Sequence, residues 1–436
     1  MWREVNMKSN SFWTTVSEAL AVVAVTLIVA LIMAPGASAA VTYKVLHQFN
    51  GTDGADPYDA SGLIFDASGN LYGTTARGGA YGYGTVFQLT PNPDGSWTES
   101  MLYSFGSGSD GATPIGSVIF DVSGNLYGGT ISGGNYGSGT VFKLTPNLDG
   151  SWTEGVLYSF TGGTDGAGAG NLTFDATGAL YGTSMGGAYG YGAVYKLTPN
   201  SDGTWTETVL HSFMTASNGD PSGGLSFDTS GNLYGSTNGE DNSSCCGLVY
   251  ELIPQQNGSW QYKVLHRFTS GDHAGFSPGG SPLVFDQGGS LYAATAHGGG
   301  GNGCGWGGCG TVFKLTPGSD GKWREHVLYR FKGGMDAEQA TANIVFDTAG
   351  NLYGTTLHGG GGSCAEFWGG SGCGTVYKLI PNPKGGGIEY VLHRFRGPAG
   401  GNPWGGIVLD GNGNIYGVAS GEGTRGSSGS VFEITP

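Results

Sequence analysis

The stretch Phe65-Asp66-Ala67-Ser68-Gly69-Asn70-Leu71-Tyr72-Gly73 occurs in seven versions along this chain, and their spacing decides the fold. The others are FDVSGNLYG from Phe120, FDATGALYG from Phe174, FDTSGNLYG from Phe227, FDQGGSLYA from Phe285, FDTAGNLYG from Phe346 and LDGNGNIYG from Leu409. Their shared aspartates are Asp66, Asp121, Asp175, Asp228, Asp286, Asp347 and Asp410, in steps of 55, 54, 53, 58, 61 and 63 residues. Such a period is too long for one β-helix rung and too short for an immunoglobulin-like sandwich of about 100 residues.

Each period reads as four short strands. In the first, strand a falls at 62–66, strand b at 70–75, strand c at 85–90 and strand d at 97–105. Asp66 and Gly69 suit the first and fourth places of a type I turn between a and b. Pro91 ends the ladder after c, and Asp94-Gly95 lets the chain reverse. Strands a and c are apolar on both faces, as Leu63-Ile64-Phe65 shows, which fits sheets packed between neighbouring sheets. Antiparallel four-stranded units repeated in this way are propeller blades, so the sequence predicts an all-β, seven-bladed β-propeller. VTYKVLHQF at 41–49 matches the strand-d phrases WTESMLYSF and WREHVLYRF, whereas GSVFEITP at 429–436 is a strand c. The N-terminal strand is therefore expected to complete the last blade, because closing the ring removes exposed sheet edges.

Composition agrees. Of 436 residues 88 are Gly, without collagen's three-residue period, and aromatics reach 12%, too many for a disordered chain. A formal charge of −15 argues against nucleic acid and anionic membranes as partners. Residues 1–39 read as a signal peptide: Arg3 and Lys8, an uncharged run at 19–33, Pro35-Gly36, then Ala37-Ser38-Ala39 before the cleavage point. The propeller then occupies 40–436 of a secreted, periplasmic or cell-surface protein with no membrane span in its mature chain. The alternative is an uncleaved anchor, since the apolar run is near the short limit for spanning.

The phrases VLYSF, DGA, FDxSGNLYGTT, GGxYGxGTVFKLTP and DGSWTE resemble the GloVer tandem repeat of choice-of-anchor exported bacterial proteins. The resemblance covers essentially all of 41–436 and implies export and a repeated fold, but no site. No C-terminal sorting signal of that family is recognisable. Strands a and b also resemble NHL-type propeller repeats, more loosely.

In such blades the d–a and b–c loops share one face and the a–b and c–d turns the other. The loops carry the length variation, so the loop face is the expected binding face. Tyr81, Tyr83, Tyr136, Tyr189 and Tyr191 lie in Gly-rich b–c loops of blades one to three, and Trp306, Phe367, Trp368 and Trp404 add to that face in blades five to seven. Exposed rings among small residues suit stacking on sugars or on a partner's apolar patch. The plainer reading packs each ring across its own loop. All six cysteines also fall in b–c loops. In an exported chain Cys304–Cys309 and Cys364–Cys373 read as disulfides, each stabilising by roughly 2–3 kcal/mol. The adjacent Cys245 and Cys246 form either a vicinal bond or bridges elsewhere. A Cys/His metal site including His297 and His358 is the competing reading, disfavoured in an oxidising compartment.

Asp53, Asp110, Asp165, Asp272 and Asp336 follow strand d at a regular distance. Such a ring suits Ca2+ or a cationic ligand, or else simply self-capped turns; no other cofactor is expected. The seven hairpin aspartates read as structural. His47, His211, His266 and His393 stand where other blades have Tyr103, Tyr158 and Tyr329, and read as packing variants. Trp97, Trp152, Trp205, Trp260 and Trp323 read as outer-edge packing. No paired carboxylates, nucleophile elbow or phosphate loop appears. The expected function is a monomeric binding module for an extracellular glycan or protein. One alternative is a carbohydrate-active lyase or hydrolase using His297, His358, His273, Asp272 or Glu366; another is a structural envelope protein.

Overall fold

The computed structural model describes residues 41–436 except 58–61, 107, 222, 240–246, 270–274, 279, 281, 301–303, 305–306, 365–369, 383–384, 398–399 and 422–427. The signal peptide expected at 1–39 lies outside the described residues. Among those described, regular structure is β apart from one 3-10 turn at Ala216–Asn218, and no helix is long and apolar enough to cross a membrane.

The strands form seven four-stranded antiparallel sheets, the blades of a propeller. Blade one has strand a at Ile64–Phe65, b at Leu71–Thr75, c at Thr85–Pro91 and d at Trp97–Ser104. The d strands of blades two to six are Trp152–Ser159, Trp205–Ser212, Trp260–Arg267, Trp323–Arg330 and Gly387–Arg394. Blade seven takes a, b and c from Ile407–Leu409, Ile415–Ala419 and Ser430–Thr435, and its fourth strand is the N-terminal Thr42–Gln48. That strand is a d strand in detail. In blade one the c–d ladder skips Leu102 as a bulge, and in blade seven it skips Leu46 at the same place.

Strand a is shorter than its sequence suggests, two residues in place of five. The residues before it turn to the neighbouring blades. Gly62 takes φ +86, a Cβ there would sit 2.7 Å from the Gly406 backbone of blade seven, and its carbonyl accepts from Ser117 Oγ of blade two at 2.6 Å. Asn343 Nδ2 likewise donates to Ile407 O at 3.2 Å. Crowding between neighbouring first strands leaves no room for a longer ladder.

Seven hydrophobic clusters hold the ring, one in each seam between neighbours. Leu63, Leu71 and Phe87 of blade one meet Tyr416, Val418 and Val431 of blade seven, so the closing seam is packed like the rest. In every seam the Phe after strand d meets a strand-c ring of the next blade edge to face, from Phe49–Phe87 at 5.1 Å to Phe213–Tyr250 at 5.4 Å. Such pairs add about 0.5–1.5 kcal/mol each beyond the apolar area they bury.

Candidate binding face

The loop face is stapled. Asp56, Thr113, Asp220, Ser277, Gln339 and Asn402 hold left-handed backbone at equivalent places in the d–a loops, and Gly168 does so in the seventh. A non-Gly residue there costs about 1–3 kcal/mol, so the surroundings must enforce it. They do so with backbone bonds between blades. The Thr113 N–H donates to Tyr83 O at 2.9 Å, Asp220 to Tyr191 O at 3.0 Å, Gln339 to Cys309 O at 2.9 Å and Asn402 to Cys373 O at 2.7 Å. Tyr83, Tyr191, Cys309 and Cys373 thus occupy one structural position, two residues before strand c. Spacing alone makes this recurrence legible in hindsight, because Pro follows at Pro57, Pro114, Pro221, Pro278 and Pro403.

On these loops Tyr81, Tyr83, Tyr136 and Tyr189 are 66%, 44%, 64% and 54% exposed, so their rings face solvent. Tyr191 is half-buried against the seam of blades three and four. Trp404 is half-buried, its N–H donating to Asn402 O. Trp306, Phe367 and Trp368 lie outside the described residues.

Disulfides join Cys304 to Cys309 and Cys364 to Cys373, with Cα separations of 5.3 and 5.1 Å. Each ties down the loop whose last cysteine carries a staple carbonyl, and it removes these four thiols as metal ligands. Cys245 and Cys246 lie outside the described residues. His297 is half-buried beside the Phe276 ring, 5.3 Å away, and burial lowers its pKa. His358 is wholly buried, opposite Glu338 in a two-residue ribbon of blade six. The two histidines therefore sit in separate blades, each against its own d–a loop. Asp272, His273 and Glu366 lie outside the described residues.

Beside the loops, each seam holds a polar or aromatic contact that sequence reading missed. Asp110 accepts from Tyr103 OH at 3.1 Å and from the Gly106 and Gly108 N–H groups, and it faces Glu154 of the next blade. Asp165 accepts from Tyr158 OH and from Thr161 N–H, and it faces Glu207. Asp336 accepts from Tyr329 OH and faces Glu389. In the closing seam His47 Nε2 lies 3.1 Å from Asp53, and a side-chain nitrogen of His47 and carboxyl oxygens of Asp53 and Glu99 lie within 4.8 Å of one another. His266 lies 3.5 Å from Glu325 in the seam of blades four and five. Carboxyl pairs are therefore present, contrary to expectation. Their members come from different blades more than 40 residues apart in sequence, where no local motif reveals them. The aspartates cap their own loops, and the glutamates carry the anomaly: one oxygen each of Glu99, Glu154, Glu207, Glu325 and Glu389 is buried with no hydrogen-bond partner.

The other two seams are stacked. His211 lies on Tyr262 with centroids 4.0 Å apart and planes at 6°, and His393 lies on Tyr43 at 3.9 Å and 8°. The histidines pack as rings in these two seams, but pair with carboxylates at His47 and His266.

The turn face is more regular. Every hairpin aspartate accepts two backbone N–H groups of its turn and a Tyr OH six residues on, as Asp66 does from Ser68, Asn70 and Tyr72. The tryptophans cross the seams rather than merely covering an edge: Trp260 stands 5.9 Å from Tyr181 of the preceding blade. A cavity of about 620 Å³ opens there between blades three and four, lined by Phe174, Tyr181, Phe227 and Trp260 with Asp175 and Lys196. This concavity lies on the face that the sequence treats as purely structural.

Seven such sheets joined end to end, with an apolar core in each seam and loops gathered on one face, define a repeat-built seven-bladed β-propeller. The chain belongs to the Gloeobacter/Verrucomicrobia repeat family, whose pattern matches residues 32–184, 92–306 and 170–365. No curated protein sequence matches it. Among solved structures it is similar to a gluconolactonase from Xanthomonas campestris, at 16% identity and TM-score 0.42, covering 72% of this chain and 86% of that one. It is also similar to a PQQ-bound aldose sugar dehydrogenase from Streptomyces coelicolor, at 12% identity and TM-score 0.45, covering 91% and 98%.

Proposed function

We propose that this propeller is an exported binding module whose loop face, through the tyrosines of blades one to three, holds an extracellular glycan. The observation that carries this reading is the exposure of Tyr81, Tyr83, Tyr136 and Tyr189 on one face of a scaffold stapled between blades. A ring presented on a rigid loop loses little freedom on binding, so its stacking energy goes into affinity. The net charge of −15 favours neutral or cationic ligands over anionic ones.

The test is a glycan array with the secreted protein, followed by calorimetry with Tyr81→Ala/Tyr136→Ala/Tyr189→Ala. Binding to saccharides that weakens by on the order of a hundredfold in the triple variant, with an unchanged melting temperature, supports the reading. Saccharide binding that survives the triple variant unchanged removes the tyrosines from the site. Release of new reducing ends favours the carbohydrate-active alternative. Capture of a protein with no saccharide binding makes the ligand a protein.

A further inference from the structure

We propose that the carboxyl pairs are proton locks: each seam that carries such a pair closes with a proton held on its Glu and shared toward the Asp of the preceding blade, so the ring is tightest in mild acid and loosens as the medium turns alkaline. Four seams set an Asp of one blade against a Glu of the next, at Asp53/Glu99, Asp110/Glu154, Asp165/Glu207 and Asp336/Glu389; each Glu buries one oxygen with no hydrogen-bond partner, and carboxyl oxygens of Asp53 and Glu99 lie within 4.8 Å of each other. In each, an ionised Glu puts two like charges side by side and leaves one buried oxygen without a donor. A proton taken from solvent removes the repulsion and lets that carboxyl donate. The two stacked seams have no Glu at this place, and no orphaned carboxyl oxygen.

Among the described residues, the groups facing Glu154 and Glu207 include no base, so in these two seams a proton is the neutralisation at hand. Glu99 faces Asp53 and His47. Glu154 faces Asp110 and Tyr103, and Glu207 faces Asp165, Tyr158 and Tyr195. Glu389 faces Asp336, Tyr329 and Tyr377, with Arg394 and Lys332 as cationic neighbours. Across the strand-c ladder these glutamates oppose Leu89, Leu144, Leu197 and Leu379. Burial first, then the neighbouring Asp charge, raises all four carboxyls from 4.5 to about 7, Arg394 and Lys332 offsetting only part of this at Glu389. A raised pKa gives stability that is whole below pH 4.5 and lost as pH rises through about 7. Burial lowers His211 and His393 from 6.5 to about 4, Arg396 adding to the effect at His393, so their stability is whole above pH 6.5 and lost as pH falls through about 4. Asp56, raised by burial, joins the first set, and His297 joins the second. Aspartates held low, against burial, by their hydrogen bonds, Asp66 and Asp165 among them, start from 3.8 and act only in stronger acid; between pH 4.5 and 6.5 the four locks outnumber the three histidines, and stability falls with rising pH.

The experiment is denaturant unfolding of the full chain at about pH 5 and about pH 8, with E99Q/E154Q/E207Q/E389Q beside it. The unfolded-to-folded ratio of the wild type is expected to rise on the order of tenfold or more toward pH 8, since each pKa unit is worth about a factor of ten before screening by solvent. Gln keeps the shape and takes no proton, so in the variant the slope vanishes or reverses, leaving the histidines in charge. A wild type that gains stability toward pH 8, or a variant that keeps the wild-type slope, overturns the proposal. If the quadruple variant does not fold, infrared spectroscopy of the wild type decides. A protonated-carboxyl band persisting near pH 6 and fading by about pH 8 supports the locks, and its absence at pH 6 overturns them.

Discussion

Between blades three and four the His211 ring lies flat on Tyr262, whereas between blades one and two the same positions hold Tyr103 and Glu154 with Asp110 beside them. Both seams sit on the same apolar base, an edge-to-face pair at 5.4 Å in one and 5.1 Å in the other. The polar level is therefore interchangeable while the apolar level is not. Its members change together. Where strand d presents Tyr at this level, as at Tyr43 and Tyr262, the preceding blade presents His393 or His211, and Gly400 or Asn218 stands seven residues on from that His. Where it presents Glu99, Glu154, Glu207 or Glu389, the preceding loop brings Asp53, Asp110, Asp165 or Asp336. Burial acts on the two designs in opposite senses, raising the Glu154 carboxyl and lowering the His211 imidazole.

The harshest way to break the comparison is to delete the closing strand Thr42–Gln48, which removes Tyr43 from a stacked seam and His47 from an acidic one together. Loss of cooperative melting and aggregation on size-exclusion chromatography are expected, because the Ser430–Thr435 edge loses its partner. A soluble deletion with an unchanged melting temperature would contradict the closure. Next in size is Tyr262→Ala, expected to destabilise by about 3 kcal/mol in denaturant unfolding through the lost ring. Tyr262→Phe, by contrast, is expected to be neutral or slightly stabilising, because the hydroxyl is buried with no hydrogen-bond partner. Should Phe cost as much as Ala, stacking would not be what holds that seam. Smaller than the loss of the Tyr262 ring is the effect of Tyr103→Phe, which removes one hydrogen bond to Asp110 and is expected to cost about 1 kcal/mol. The matching substitution Tyr353→Phe on the turn face, where Asp347 keeps three other donors, is the control and is expected to cost less.

Much of this was readable from the chain. Blade number, strand order and the N-terminal closing strand follow from seven copies of one phrase and a spare strand d, because a period-two pattern between fixed turns leaves each segment one partner on each side. The disulfides Cys304–Cys309 and Cys364–Cys373 were readable from short separation. Strand a was overread, since its outward ladder depends on how tightly neighbouring blades crowd Gly62. The pairing of carboxyl groups was not readable at all: Glu154 and Asp110 belong to different repeats and meet only when one blade is laid against the next.

Sequence alone determined the local units and their count, because turn chemistry and side-chain alternation act over a few residues. Tertiary structure alone decided the chemistry of the seams. It chose which Glu loses its water beside an Asp, which His lies on a Tyr, and which tyrosines stay in solvent. Those outcomes depend on distance and burial between blades, and neither quantity is written within any single repeat.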